Sequence, residues 1–179
     1  MALESITFKA PDPIADYKTV REGLPKDAAS AQSDPIVIEA EQVQWKNDSS
    51  ITLAFDNDIA NSPYVRGKIS YNTIDGNHWS TNNQEISWGF DVPETGFYKI
   101  AMREQQSFVS NRSSFRSILI NGKVPFSELT AYRFPYDSGW KGTALADEQG
   151  TPYEFYLQKG VTRFRCVLHR LRSFQSSMK

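Results

Sequence analysis

Two apolar-alternating runs, Ile86 to Val92 and Phe97 to Met102, flank the breaker cluster Pro93-Glu94-Thr95-Gly96. Alternation of period two buries one face of an extended chain and leaves the other wet. A Pro/Gly break between two such runs turns the chain back. The stretch from Gln84 to Arg103 therefore predicts an antiparallel pair within an all-β core. No catalytic constellation sits on it, which points to a binding module rather than an enzyme.

The same signal recurs along the chain. Ile36 to Glu41, Ser50 to Phe55, Gly67 to Tyr71 and Phe115 to Ile120 read as strands. Tyr153 to Leu157 and Val161 to His169 read as a last pair around Gln158-Lys159-Gly160. Asn121-Gly122 is the best hairpin signal, because both residues accept positive φ. Pro125 limits the return strand to an edge or a short piece. No helix-period segment of any length follows residue 35. Many short strands with regular turn signals predict an antiparallel β-sandwich or jelly roll.

Residues 1–33 are different in kind. Four of the nine prolines fall by Pro35, and Lys26 to Asp34 is polar. This predicts a poorly structured arm with one short helix near Ile14 to Arg21. The sandwich then occupies 34–172, followed by a tail over 173–179. The start carries no basic segment leading into an apolar one, so no signal peptide is visible. Such an arm suggests a piece of a longer polypeptide.

Charge and motifs narrow the function classes. A net charge of −1 offers no electrostatic footprint for nucleic acid or an anionic membrane. No apolar run approaches the roughly eighteen residues of a membrane span. Cys166 is the only cysteine, which rules out an intrachain disulfide and a Cys-based zinc site. It falls in an alternating run, the place of a buried structural thiol. There is no Gly-x-Ser-x-Gly elbow, His-Glu-x-x-His or phosphate-cradling glycine loop. Asp56-Asn57-Asp58 reads as a turn rather than a glycosidase carboxylate pair. His78 and His169 are too far apart for metal-ligand spacing.

Aromatic residues are plentiful, at 4 Trp, 8 Tyr and 11 Phe. Trp88 alternates within a strand and belongs to the core, and Trp45 is placed to pack against the core's end. Trp79 lies in the polar loop Asn77 to Asn83, where it either plugs the sandwich or faces out as a platform. Trp140 lies in the loop Tyr136 to Gly142. An aromatic plane with a few placed polar groups is what a sugar requires. Asn77, Gln105, Gln106, Asn111 and Arg112 are available as polar partners, or are solvated loop residues.

Certain segments together resemble the galactose-binding-like jelly-roll modules, especially carbohydrate-binding module families six and thirty-five. They are Ile38 to Glu41, Ile86 to Phe90 with Val92-Pro93, Gly96 to Ile100 with Arg103, Asn121-Gly122, Trp140, and Tyr153 to Leu157 with Gly160. Pro125-Phe126 with Glu128, Phe134-Pro135-Tyr136 with Trp140, and Pro152-Tyr153 are closer still to modules within large bacterial lipoproteins of the ABC-transporter solute-binding type. The resemblance spans about Asp34 to His169. It implies a non-catalytic module that binds an oligo- or polysaccharide at an extracellular or cell-surface location. Trp79 and Trp140 would stack on sugar rings, with Asn77, Gln106, Arg112 and Tyr136 beside them. It also implies a structural calcium, for which Glu39 and Glu41 are candidates. Alternate strand residues share a face, and calcium takes oxygen ligands. Those families carry an Asp and often an Asn on a final strand, and Leu171 to Gln175 has neither. This departure leaves open a structural spacer or protein-interaction sandwich with no sugar site. A further reading is an ancillary domain of a polysaccharide-degrading enzyme.

Overall fold

A computed structural model describes residues 8–10, 12–26, 28–64, 66–107 and 110–169. Leu171 to Gln175, the end that lacks the families' final-strand Asp and Asn, and the tail lie outside them. The strands are β1 (Trp45–Lys46), β2 (Leu53–Ala54), β3 (Thr73–Ile74), β4 (Glu85–Val92), β5 (Gly96–Tyr98), β6 (Ala101–Gln106), β7 (Ser114–Ile120), β8 (Tyr132–Phe134), β9 (Asp137–Ala144), β10 (Phe155–Leu157) and β11 (Gly160–His169). One short helix, α1 (Tyr17–Glu22), precedes them, and a 3-10 turn covers Ser127–Leu129. The protein is an all-β sandwich. Among the described residues no helix is long and apolar enough to cross a membrane.

One layer is an antiparallel five-stranded sheet in the order β1-β4-β11-β7-β8. Its inner face follows from period two. Ile86, Trp88 and Val92 of β4 are buried, as are Phe164, Cys166 and Leu168 of β11 and Ile118 of β7. The second layer is built from the β5–β10 and β6–β9 ladders. They continue into each other through Leu145 N–H to Ile100 O at 2.9 Å and Tyr153 N–H to Leu145 O at 2.8 Å. A small ladder pairs β2 with β3.

The two runs around Pro93 to Gly96 are strands but do not pair with each other. β4 bonds to β1 and β11, whereas β5 bonds to β10. The breaker cluster carries the chain from one layer to the other. Gln158-Lys159 does the same, because β10 bonds to β5 and β11 bonds to β4 and β7. The Asn121-Gly122 turn has φ of 49° and 80°, and Ile120 N–H donates to Lys123 O at 2.9 Å.

Two expected strands are absent. Ile36 to Glu41 is irregular, and Val37 is 76% exposed. The sheet edge it would occupy is taken by β1, with Gln44 N–H donating to Ser87 O at 3.0 Å. Gly67 to Tyr71 is also irregular, because Leu53–Ala54 pairs with Thr73–Ile74 instead. Trp45 is not packed under the core. It stands 49% exposed on β1, with the Arg165 guanidinium 5.7 Å from its ring. Cys166 is buried in the core, and that burial pushes its thiol up to about 11, so it stays protonated at neutral pH.

The arm is partly helical and fastened to the sandwich. Asp16 caps α1 by accepting from Thr19 N–H at 2.7 Å. The Tyr17 ring packs on Phe126 and Tyr153, with centroids at 4.9 and 4.7 Å. Arg21 pairs with Glu154 at 3.0 Å. Further along, Phe97 N–H donates to Ala29 O at 3.2 Å and Ala31 N–H to Phe97 O at 3.1 Å. The stretch around Ala29 to Ala31 thus finds backbone partners on β5 at Phe97. Gly96 permits this approach, since a Cβ there would lie 3.0 Å from Ala29 O and 3.3 Å from Ala31 N. Gly96→Ala is therefore expected to cost about 1–3 kcal/mol by overpacking and to quicken proteolysis within 24–33. Unchanged melting and cleavage would show that the arm is not held there.

Candidate binding site

The site is organised by β6 and the loops that close over the second layer. Across the β6–β9 ladder, Met102 stands opposite Thr143 and Glu104 opposite Lys141, while Arg103 stands opposite Gly142. Paired residues share a face, so Met102, Glu104, Lys141 and Thr143 point one way. Met102 packs against the core, which makes that face the inner one. Arg103 occupies the other face, and its guanidinium lies 5.9 Å from the Trp140 ring, which sits in the irregular part of the ladder. A cavity of about 1150 Å³ reaches both faces, since Met102, Glu104 and Gln106 border it as well as Arg103 and Gln105, and Trp140 borders it too.

Trp79 borders the cavity on the inner side. Its loop is held by buried Gln84, which accepts from Thr81 N–H at 2.9 Å and donates to Asp48, Ser50 and His78 O. The half-buried indole packs against the core, and the Arg116 guanidinium lies 3.6 Å over its ring. Trp79 is therefore neither a buried plug nor a free surface platform. Asn77, in the same loop, is exposed and also borders the cavity.

Trp140 lies on β9 rather than in a loop, because β6 offers this segment a pairing partner. A register shift between Glu104 and Gln106 sits beside it. Its Nε1 is buried without a hydrogen-bond partner. Arg103 lies 5.9 Å from the ring, donates to Asn61 Oδ1 at 2.7 Å and pairs with Asp58 at 3.3 Å. Asp56-Asn57-Asp58 is irregular, and the backbone turn follows it at Ile59-Ala60, closed by Asn61 N–H to Asp58 O at 3.0 Å. Asp56 Oδ1 accepts from Asp58 N–H at 2.8 Å and from Asn61 Nδ2 at 3.1 Å. This carboxylate organises a loop against Arg103.

Four of the six proposed ligand residues, Trp79, Trp140, Asn77 and Gln106, therefore border one cavity. Arg112 and Tyr136 are not brought to it. Arg112 is exposed, and Tyr136 is half-buried just before β9. Glu39 borders the cavity, whereas Glu41 does not. Glu41 Oε2 is buried without a partner, and desolvation, then the charge of Glu39, raises its pKa. Among the described residues no three or more His, Cys, Asp or Glu gather as a metal cluster.

Three residues at the cavity did not stand out as site residues: Arg103, Glu104 and Arg116. Burial raises the pKa of Glu104 despite Lys141 at 3.5 Å. Their signal was present, since each is a charge inside an alternating strand run. Arg116 even shares the parity of fully buried Ile118.

Neither a protein-family model nor a curated protein matches this sequence. The fold has solved counterparts. A family 35 carbohydrate binding module from Clostridium thermocellum superposes with a TM-score of 0.51 at 16% identity, covering 78% of this chain and 89% of that one. A cycloisomaltooligosaccharide glucanotransferase of Paenibacillus sp., complexed with cycloisomaltoheptaose, gives 0.51 at 17% identity. It covers 79% of this chain, which spans only 17% of that longer one.

Proposed function

We propose that this chain is a non-catalytic carbohydrate-binding module. The observation that carries the reading is the cavity bordered by Trp79, Trp140, Asn77 and Gln106. Indoles beside amides and charges suit a sugar's C–H face and its hydroxyls. Trp140 Nε1, buried and unpartnered, has a donor to give. The likeness to a carbohydrate binding module supports the same reading. A single site of this kind binds at about 0.01–1 mM. Calorimetry or a glycan array against plant and host polysaccharides tests it; no binding to any glycan would sink it.

The module serves a larger bacterial protein outside the cell, a solute-binding lipoprotein of the ABC-transporter type. The glucanotransferase likeness favours a second placement, within a longer carbohydrate-active enzyme, since the matched region is a small part of that chain. The arginine lying on the Trp79 ring favours the spacer reading for that indole alone. Single-tryptophan variants separate the two.

Structural calcium belongs to the same proposal, held by Glu39 and Glu41. The lone buried Glu41 oxygen is what a cation would satisfy. Calcium is expected to raise the melting temperature by about 2–4 °C or more over chelator, and Glu41→Gln to abolish the difference. An identical melt with calcium and with chelator would remove the site.

A further inference from the structure

Asn72 closes the neck of the loop that joins β2 to β3. Its N–H donates to Ala54 O at 3.0 Å, its Nδ2 donates to Asp56 O at 3.0 Å, and its Oδ1 accepts from Asp56 N–H at 2.8 Å. Arg103 pins the loop's first turn through Asn61 and Asp58. The returning limb shows the wrong side chains to solvent. Asn72 and the Ser70 hydroxyl are buried, whereas Ile69 and Tyr71 are 85% and 60% exposed. A half-buried run ordinarily turns its apolar side chains in and its polar ones out, and here the order is reversed. Ile59 and Tyr64 stand exposed on the same loop. One exposed aliphatic calls for no account, but a group of large apolar residues on one pinned loop marks a contact surface. Charge selects what it contacts. Arg66 and Lys68 are exposed on either side of Gly67, next to Ile69. Neither has an ion-pair partner among the described residues. The two carboxylates at the loop's base are engaged elsewhere, Asp56 by Asp58 N–H and Asn61, and Asp58 by Arg103.

We propose that this loop docks the protein on the surface of an anionic lipid membrane, with Ile69 entering the headgroup boundary and Arg66 and Lys68 on the phosphates. An isoleucine that projects this far fits a soft apolar medium better than a flat protein face. Tyrosine suits the headgroup level, where one end is apolar and the other wet, and long cationic side chains reach the phosphates beside it. The net charge of −1 supplies no long-range attraction, so the preference for anionic lipid comes from these two cations alone. Each is worth about fivefold near such a surface. Flotation of the full 179-residue chain with vesicles of phosphatidylcholine, and of phosphatidylcholine with one third phosphatidylglycerol, tests this. The expected result is on the order of twentyfold stronger partition onto the anionic vesicles, weakened by added salt. Ile69→Ser is expected to reduce that partition about tenfold or more, and Lys68→Glu to reduce it at least about fivefold. Both positions are exposed, so both variants keep the melting temperature and the glycan binding of the unaltered chain. Absence of flotation, equal flotation with neutral vesicles, or flotation undiminished in Ile69→Ser overturns the inference. So does sedimentation of the unaltered chain as an oligomer that Ile69→Ser breaks, since the loop then joins copies of this chain. Glycan binding lost with Ile69→Ser overturns it as well, because the loop then serves the sugar site.

Discussion

Phe126→Ala is expected to lower the unfolding free energy by about 3–5 kcal/mol, the range for emptying a large aromatic from a core. Phe126 is 2% exposed. Its ring is the node of a cluster, with Tyr17 at 4.9 Å, Tyr153 at 4.8 Å and Phe155 at 5.7 Å. Those partners come from α1, β10 and the segment leading into it, so one side chain joins the arm to the second layer. The cavity left behind could not close without moving all three. For a chain of this size the loss corresponds to a melting shift of about 6–20 °C. Tyr17→Ala should be non-additive with it, because both remove the same contact. Denaturant unfolding followed by near-UV circular dichroism measures both terms. A loss below about 1 kcal/mol would mean that the cluster is not close-packed and that the arm is not anchored through it.

The double variant Trp79→Ala, Trp140→Ala is expected to abolish measurable glycan binding. Truncating a binding tryptophan costs about 2 kcal/mol or more. Two such losses weaken a submillimolar site by on the order of a thousandfold. The single variants carry separate information. Trp79 packs on the core beneath Arg116, while the Trp140 ring lies 5.9 Å from the Arg103 guanidinium. Loss of binding from Trp79→Ala alone puts the sugar on the Arg116 side, and loss from Trp140→Ala alone puts it beside Arg103. Both indoles are half-buried, so the melting temperature of each variant must be read beside its affinity. A folded double variant that still binds would end this assignment.

The strands that were easy to read are those with one dry face. β4, β7 and β11 alternate because they form the centre of the five-stranded sheet. Ile36 to Glu41 reads as a strand too, yet no strand pairs with it, and the sheet edge beside β4 is taken by β1. The arm looked loose because its residues are polar. Its stability comes from contacts more than a hundred residues away, such as Tyr17 N–H to Glu128 and Glu154 N–H to the Tyr17 hydroxyl. At the site, Trp79 and Trp140 were visible as aromatics among polar residues. That they border one cavity was not visible.

By itself the sequence determined which residues seek the dry side of each strand, the Asn121-Gly122 turn with its positive φ, and the all-β class. These are properties of neighbours along the chain, where side-chain period and local sterics suffice. Only the tertiary structure decided that the Pro93 to Gly96 break passes between layers rather than closing a hairpin, and that Arg116 faces a cavity with no carboxylate to meet it. Pairing and charge environment depend on groups brought together from distant positions, and periodicity carries no record of which groups those are.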